Sequence, residues 1–490
     1  MSLSVGLDVA LSGLSTTAEQ TAVVSRNVAR AGDPHASRKT ANLVTLPGGG
    51  VKLASITRAS NAALFDKMLG ATSDAGTQRV LLEALNRLDE TINDPELDAS
   101  PAALVSKLGE ALQRYGAAPQ DAVAARTAVA AAGDLVQGLH DATQVVQQVR
   151  AAADAEIASS VDRVNTLLVQ FETVNREIVG GTQRGDDVTD QLDQRDQILA
   201  SLANEIGIRT VRRANDDMAI YTDSGLTLFD VGPRSVTFDR TLIFAPATAG
   251  SAVYVDGVPI TSPQGPMAAK TGRLPGLAAV RDTVAVTYQS QLDEIARGLI
   301  GAFAESDQSA TPTLPDVPGL FTYPGGPAMP AAGTILTGLA GSIVLNPSVD
   351  PTQGGDASLL RDGGISGNPA YLYNPTGASA FSDRLQQLTD RLNAQQAFDP
   401  AAQAAPSDTV AGFASSSAAW LQEMRKNASD DADYKNALLQ RGSEALSNAT
   451  GINLDEEMTL LLELERSYQA STRLIATIDN MLGAVLQMVG

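Results

Sequence analysis

The chain has 490 residues, 43% of them apolar but only 4% aromatic, and 35 Lys+Arg against 56 Asp+Glu give a net charge of −21. That length divides into two to four domains rather than one core, and the acidity excludes a nucleic-acid partner, because phosphate binding needs clustered cations. There is no cysteine, which excludes a disulfide framework, a thiolate metal site and a Cys nucleophile.

The start, Met1 to Ala10, has no basic segment ahead of an apolar run, so no cleavable signal peptide is expected. No stretch approaches 18 uninterrupted apolar residues, and no membrane span is expected either. Leu7, Ala10, Leu14, Thr17, Thr21, Val24 and Val28 follow a 3,4 spacing and predict a helix with a seam of small residues. Residues 61–206 read as helical. Ile157, Val161, Val164, Leu168, Phe171, Asn175 and Ile178 keep heptad spacing, with a break expected at Gly180-Gly181 and a second arm carrying Leu192, Leu199, Leu202 and Ile206.

From Ile208 to Thr261 the texture changes to short β-branched runs, including Met218–Tyr221, Ser235–Phe238, Leu242–Phe244 and Val253–Val255. They are separated by Asn215-Asp216-Asp217, Asp223-Ser224-Gly225 and Asp256-Gly257, and an antiparallel β insert is predicted. A helix returns over about 275–305. Residues 307–377 then hold 10 Pro and 12 Gly in 71 positions, too many for regular elements, with one short strand expected at Ile343–Leu345. Helix resumes at Phe381, breaks between Asp399 and Pro406, and continues past Trp420 toward Asn448.

The last segment is the most regular. Asn453 followed by Glu456 fits an N-cap and its reciprocal partner. An apolar seam then runs through Leu454, Leu461, Leu464, Tyr468, Ser471, Ile475, Ile478, Leu482, Val485 and Val489, interrupted only at Glu457. Residues 1–60 carry six bases and three acids, whereas residues 452–490 carry two bases and six acids. Opposite charge and paired seams suggest that the two ends pack on each other; two amphipathic helices docked on a globular body is the other reading of the same pattern.

Catalysis finds little support. His35 and His140 are the only histidines, too few for a His-rich metal site. Gly48-Gly49-Gly50-Val51-Lys52 lacks the spacing of a phosphate-binding loop and reads as a turn. Abundant carboxylates offer no way to single out a catalytic pair. No enzyme activity, cofactor or metal is expected.

Several segments resemble flagellar axial proteins. Leu11-Ser12-Gly13-Leu14 with Ser25-Arg26-Asn27-Val28-Ala29 is similar to the N-terminal pattern of rod, hook and hook-associated proteins. Leu192-Asp193-Gln194-Arg195-Asp196, the run Asn346-Pro347 to Gly364, and Asn453–Met458 with Tyr468–Ser471 resemble the hook-associated protein 1 family. Arg26 and Arg30 depart from the usual first pattern, and Ala36-Ser37 stands where that family has Gly-Tyr, so the loop after the first helix is expected to be contacted differently.

The resemblance implies a mainly α fold with a β insert and nested domains. Residues 1–60 with 446–490 would form a terminal coiled-coil assembly domain. Residues 61–206 with about 272–306 and 378–445 would form a helical domain, leaving 207–271 as the β insert and 307–377 as a loop-rich outer excursion. It also implies type III export without a cleaved signal peptide, an extracellular place in the flagellum, and helical self-assembly at the hook–filament junction. The implied partners are further copies of the chain, the hook protein, the next hook-associated protein or the filament, and a cytoplasmic export chaperone on the C-terminal helix. The expected assembly residues are Leu7, Leu14, Val24 and Val28 with Leu461, Leu464, Tyr468, Ile475, Ile478 and Leu482. Another axial component (hook, rod or flagellin) and a secreted adhesin or surface-layer protein stay open as other classes.

Overall fold

A computed structural model describes residues 3–92, 99–262, 265–326 and 328–489. The chain is mainly α with small antiparallel sheets. Helix α1 (Leu3–Arg30) is followed by a hairpin of β1 (Lys39–Thr45) and β2 (Val51–Arg58), then α2 (Ala62–Ile92), α3 (Pro101–Ala117), α4 (Ala122–Arg184) and α5 (Thr189–Glu205). Two three-stranded sheets come next: β3 (Ile208–Arg212), β4 (Met218–Thr222) and β5 (Thr227–Phe229), then β6 (Val236–Thr237), β7 (Tyr254–Val255) and β8 (Val258–Pro259). Helix α6 (Arg273–Ala279) passes through a π turn (Val280–Val284) into α7 (Ala285–Ala302). The loop-rich stretch carries β9 (Phe321–Thr322), β10 (Val344–Leu345) and α8 (Leu359–Asp362). Helix α9 (Asp383–Leu392), the pair β11 (Gln396–Ala397) and β12 (Ser407–Asp408), α10 (Val410–Thr450) and α11 (Leu454–Val489) complete the chain.

Helix α4 is the spine. Its 63 residues span about 95 Å at 1.5 Å per residue. Asp121 caps its start by accepting the Val123 N–H at 2.7 Å. Every residue of the heptad from Ile157 to Ile178 is buried. The expected break at Gly180-Gly181 does not occur: the helix continues to Arg184 and stops at Gly185, whose φ of 78° is left-handed. Gly181 serves packing instead, since a Cβ there would meet Val188 at 2.4 Å. Helix α7 is covered on all sides, with Leu292, Ile295 and Leu299 beside buried Asp293, Glu294 and Arg297.

Three further expectations are corrected. A β-hairpin lies within residues 1–60, which the sequence suggested only as helix and loop; Gly48 and Gly49, at φ 111° and 94°, form its turn. Leu242–Phe244 is not a strand. That segment is strapped along α4, with the Thr241 N–H on Asp154 at 3.0 Å and the Ala245 carbonyl on Arg150 at 3.1 Å, and a helix surface offers no strand to pair with.

The Gly/Pro-rich excursion is short of regular elements, but "outer" does not describe it. Leu320, Phe321, Leu339, Ile343, Val349, Leu360 and Ile365 are buried in the same core as the helices. Phe321 packs edge-on to Phe303 at 5.1 Å. Asp293 accepts the Gly338 and Ala340 N–H groups at 2.8 and 2.9 Å. The β insert joins that core as well, through Phe171 of α4 against Phe229 of β5 at 4.8 Å.

Helix α10 runs unbroken through residue 446 to Thr450, so the step to the last helix falls at Gly451. Helices α2 and α10 are antiparallel along their length, tied by Lys435–Asp74 at 2.7 Å and Arg425–Asp89 at 3.1 Å. This two-helix stalk connects the body to the terminal elements.

Candidate assembly interface

Helices α1 and α11 pack antiparallel. A Cβ on Gly6 would lie 3.7 Å from Ile478, one on Gly13 would lie 3.8 Å from Ser471, and Asn27 meets Glu457 at 2.9 Å. Small residues at Gly6 and Gly13 let the axes approach closely. Asn453 caps α11 by accepting the Asp455 and Glu456 N–H groups and donating to the Glu456 carboxylate at 3.3 Å.

Of the ten expected assembly residues, Val24, Leu464 and Ile478 are buried between the two helices. Leu7, Leu14, Val28, Leu461, Ile475 and Leu482 are half-buried along the seam. Tyr468 is 46% exposed and sits on the rim. A straight helix drifts by about 20° per heptad against a 3.5-residue repeat, and close approach at Gly13–Ser471 leaves a large ring no room at the centre. Val485 is exposed, and the side chain of Val489 lies outside the described residues. The pair also carries a second, open set of apolar side chains: Leu11 on α1, and Met458, Leu462, Leu474, Met481 and Leu486 on α11.

Glu457, the one interruption in the predicted seam, is its polar hub. It is 1% exposed, accepting from the Asn27 amide at 2.9 Å and from Arg38 Nε at 2.7 Å. Asn27 also donates to the Lys39 carbonyl at 2.9 Å and accepts the Lys39 N–H at 3.1 Å, so one side chain joins α1, the hairpin and α11. The Arg38 N–H donates to the Thr450 carbonyl at 2.8 Å and ties the stalk to the same point. A polar residue at a core position in a helical seam fixes register at some cost in stability. Spacing marked position 457; its partners lie 430 and 419 residues away in sequence.

The opposite charges of the two ends meet only in part. Among the bases of residues 1–60, Arg38 pairs with Glu456 and Glu457 of α11. Arg26, Arg30, Lys39 and Arg58 turn instead to the acidic row of α5, which begins with Asp187 just ahead of the helix. Arg26 meets Asp187 at 3.1 Å, Arg30 meets Asp190 at 2.5 Å, Lys39 shares Asp190, and Arg58 meets Asp193 at 2.9 Å and Asp196 at 2.7 Å. Ser37 Oγ donates to Asp193 at 2.5 Å.

Burial opposes the charge on Arg58, yet Asp196 and Asp193 outweigh it and raise its pKa. Burial pushes the Asp196 carboxyl above the usual carboxylate range, with Arg58 opposing. Burial also works against charge on Asp187, but the Thr189 hydroxyl and N–H, with Arg26, hold its carboxyl below that range.

The motif Asp193-Gln194-Arg195-Asp196 is therefore a junction between two parts of the molecule. Its acids face the terminal unit. Its fully buried Arg195 faces the other way, donating to Asn175 at 3.0 Å and to the Asp216 carbonyl at 2.5 Å, and burial lowers its pKa to about 10. Asn215 and Asp216 both stand at φ 56°, so Arg195 holds a strained turn of the β insert against α4. Of the four departures noted in the N-terminal pattern, Arg26, Arg30 and Ser37 contact this row. Among the described residues no group of three or more His, Asp or Glu is placed to hold a metal ion, and no helix is long and apolar enough to cross a membrane.

Residues 85–313 match the flagellar hook-associated protein FlgK helical domain, and residues 445–488 match the flagellar basal body rod FlgEFG protein C-terminal family. Flagellar hook-associated protein 1 of Bacillus subtilis is 20% identical over 480 residues, covering 93% of this chain and 89% of that protein. The proteins of the same name from Salmonella typhimurium and Escherichia coli are each 22% identical, over 258 and 272 residues, and those matches span about half of this chain and 46% of theirs. A solved structure of the flagellar hook junction protein FlgK from Burkholderia pseudomallei aligns with TM-score 0.42 at 18% identity, covering 53% of this chain and 47% of that one. Paired terminal helices, a helical body and matches at both of these places define a flagellar axial protein. Within that class the chain is similar in its matched parts to the FlgK family, the hook-associated protein 1 family.

Proposed function

We propose that this chain is a structural subunit of the hook–filament junction of a bacterial flagellum, assembling with copies of itself through residues 1–60 and 446–490. The observation that carries the reading is the α1–α11 pair. One face closes on itself through Val24, Leu464 and Ile478, while Leu11, Leu462, Leu474, Met481 and Leu486 stay open to a neighbour. Exposed apolar side chains in such number on one helix pair are covered when neighbours pack against it. The chain acts outside the cell after export through the flagellar channel. It meets the hook protein on one side and the next hook-associated protein or the filament on the other. It performs no catalysis and holds no cofactor.

Before export, a helical chaperone in the cytoplasm covers α11 by taking its apolar face into a groove. The test is a Leu461→Asp, Ile475→Asp double variant, examined by motility and electron microscopy in a strain lacking the wild-type chain, beside calorimetric titration with the chaperone. Both assembly and chaperone affinity are expected to fall. Normal filaments on hooks built with the variant would refute the assembly role, and unchanged chaperone affinity with lost motility would confine this face to assembly.

A further inference from the structure

We infer that the acidic row of α5 is a two-tier electrostatic latch that sets the angle between the terminal unit and the helical body. The tiers separate by the burial of their arginines, while Lys39, 2% exposed, holds Asp190 from the inner side. In the inner tier, Arg58 and Asp193 expose only 9% and 3% of their side chains, and the Ser37 hydroxyl completes the Asp193 carboxylate. In the outer tier, Arg26 and Arg30 expose 41% and 34%, and they reach Asp187 and Asp190 at the N-terminal turn of α5. Exposed pairs are screened by salt, whereas buried ones are screened far less. The inner tier thus keeps the units attached while the outer tier decides their tilt.

The outer tier also has alternatives ready to hand. Arg30 lies 3.2 Å from Asp33 and 3.7 Å from Asp193 as well as on Asp190, and Lys39 shares Asp190. A rotation of α1 exchanges one carboxylate for the next without stranding a charge. The chain itself, running on at the ends of β2 and α10, allows that rotation without separation, and two backbone hydrogen bonds sit at the pivot: the Ala59 N–H donates to the Arg38 carbonyl at 2.8 Å, and the Arg38 N–H to the Thr450 carbonyl at 2.8 Å. The seam of α1 with α11 moves as one piece, because the Asn27–Glu457 contact lies on the terminal side of the joint.

The chain has no cysteine, so Ser15→Cys on α1 and Ser159→Cys on α4 accept spin labels without a background. A 10° tilt about Arg30 moves Ser15 by about 4 Å, from 15 residues of helix at about 1.5 Å each, within reach of a pulsed dipolar distance measurement. The expected result is a narrow distribution at low salt that shifts by about 4 Å or doubles in width at about 1 M salt, where the screening length is about 3 Å. Arg26→Gln with Arg30→Gln should show the high-salt distribution already at low salt, with unchanged helical circular dichroism. Exchanging the Arg26–Asp187 pair, as Arg26→Asp with Asp187→Arg, should restore the narrow distribution. A double-Gln variant indistinguishable from wild type at both salt concentrations overturns the latch, as does a wild type without salt response. An exchanged pair that stays broad overturns the pairing that defines the outer tier.

Discussion

The helical body and the terminal unit are both built from long helices, yet they are held together by different physics. In the body, α4 and α7 are surrounded, and Leu139, Phe171, Leu292 and Leu299 are wholly buried among other apolar side chains. In the terminal unit, α1 and α11 touch along one narrow seam in which only Val24, Leu464 and Ile478 of the expected residues are closed off from water. Hydrophobic burial secures the first. The second depends on the Asn27–Glu457–Arg38 cluster for register and on carboxylates of α5 for its attachment. A subunit that leaves apolar surface for neighbours has less of it to spend on folding alone, so polar contacts carry its specificity.

The comparison is sharpest where the expected effect is largest. Phe171→Ala should cost about 3–5 kcal/mol in denaturant unfolding of the body, from lost burial and the cavity left beside Phe229. A loss below about 1 kcal/mol would mean that α4 and the β insert do not share a core. Glu457→Ala should cost about 1–3 kcal/mol, by taking a buried acceptor from Asn27 and one of the two carboxylates from Arg38, which keeps Glu456. This loss should be local: amide exchange should accelerate around residues 20–40 and 452–465 and stay unchanged around residues 125–178. Acceleration throughout would erase the distinction between the two regions.

The body carries its own charge cost, at Asp293. Burial raises its pKa to about 6, although the Ala340 and Gly338 N–H groups and Gln289 oppose the shift. Because the folded value lies above the unfolded one, the protonated form is favoured on folding. Stability from this group is fully present below the ordinary carboxylate value and is lost as pH rises through about 6. The change across that window is about 2–3 kcal/mol. Asp293→Asn should flatten this part of the stability–pH curve, and an unaltered slope would place the titration elsewhere. The smallest effect should come from Tyr468→Ala, which removes a rim side chain. Monomer unfolding should move by less than about 0.5 kcal/mol, and a larger loss would show that Tyr468 belongs to the intramolecular seam.

Much of this was legible from spacing. The heptad from Ile157 to Ile178 and the Asn453 cap are local patterns that the structure follows, whereas on the α11 seam only Leu464 and Ile478 are closed off from water. Phe244 was misjudged because a β-branched or aromatic run predicts a strand only where another strand is available; here it lies under the Arg150 guanidinium, 4.7 Å from its ring centre. Gly180-Gly181 was misjudged because helix propensity is worth about 1 kcal/mol per glycine, less than the contact with Val188 that Gly181 makes possible. The acids of α5 were visible as a motif, but nothing near them in sequence identified their partners.

The sequence by itself determined most of the helices, the position of the β insert and the family resemblance, because periodicity and motifs are read over tens of residues. Only the tertiary structure decided that Glu457 completes a seam it seemed to interrupt, that the Gly/Pro-rich excursion is part of the body's core, and that Arg26, Arg30 and Arg58 answer α5 rather than α11. The physical reason is range. Apolar periodicity records which face of an element is dry, whereas a charge or a buried amide is satisfied by whichever group the fold brings within about 3 Å, and for Asn27 that group lies 430 residues along the chain.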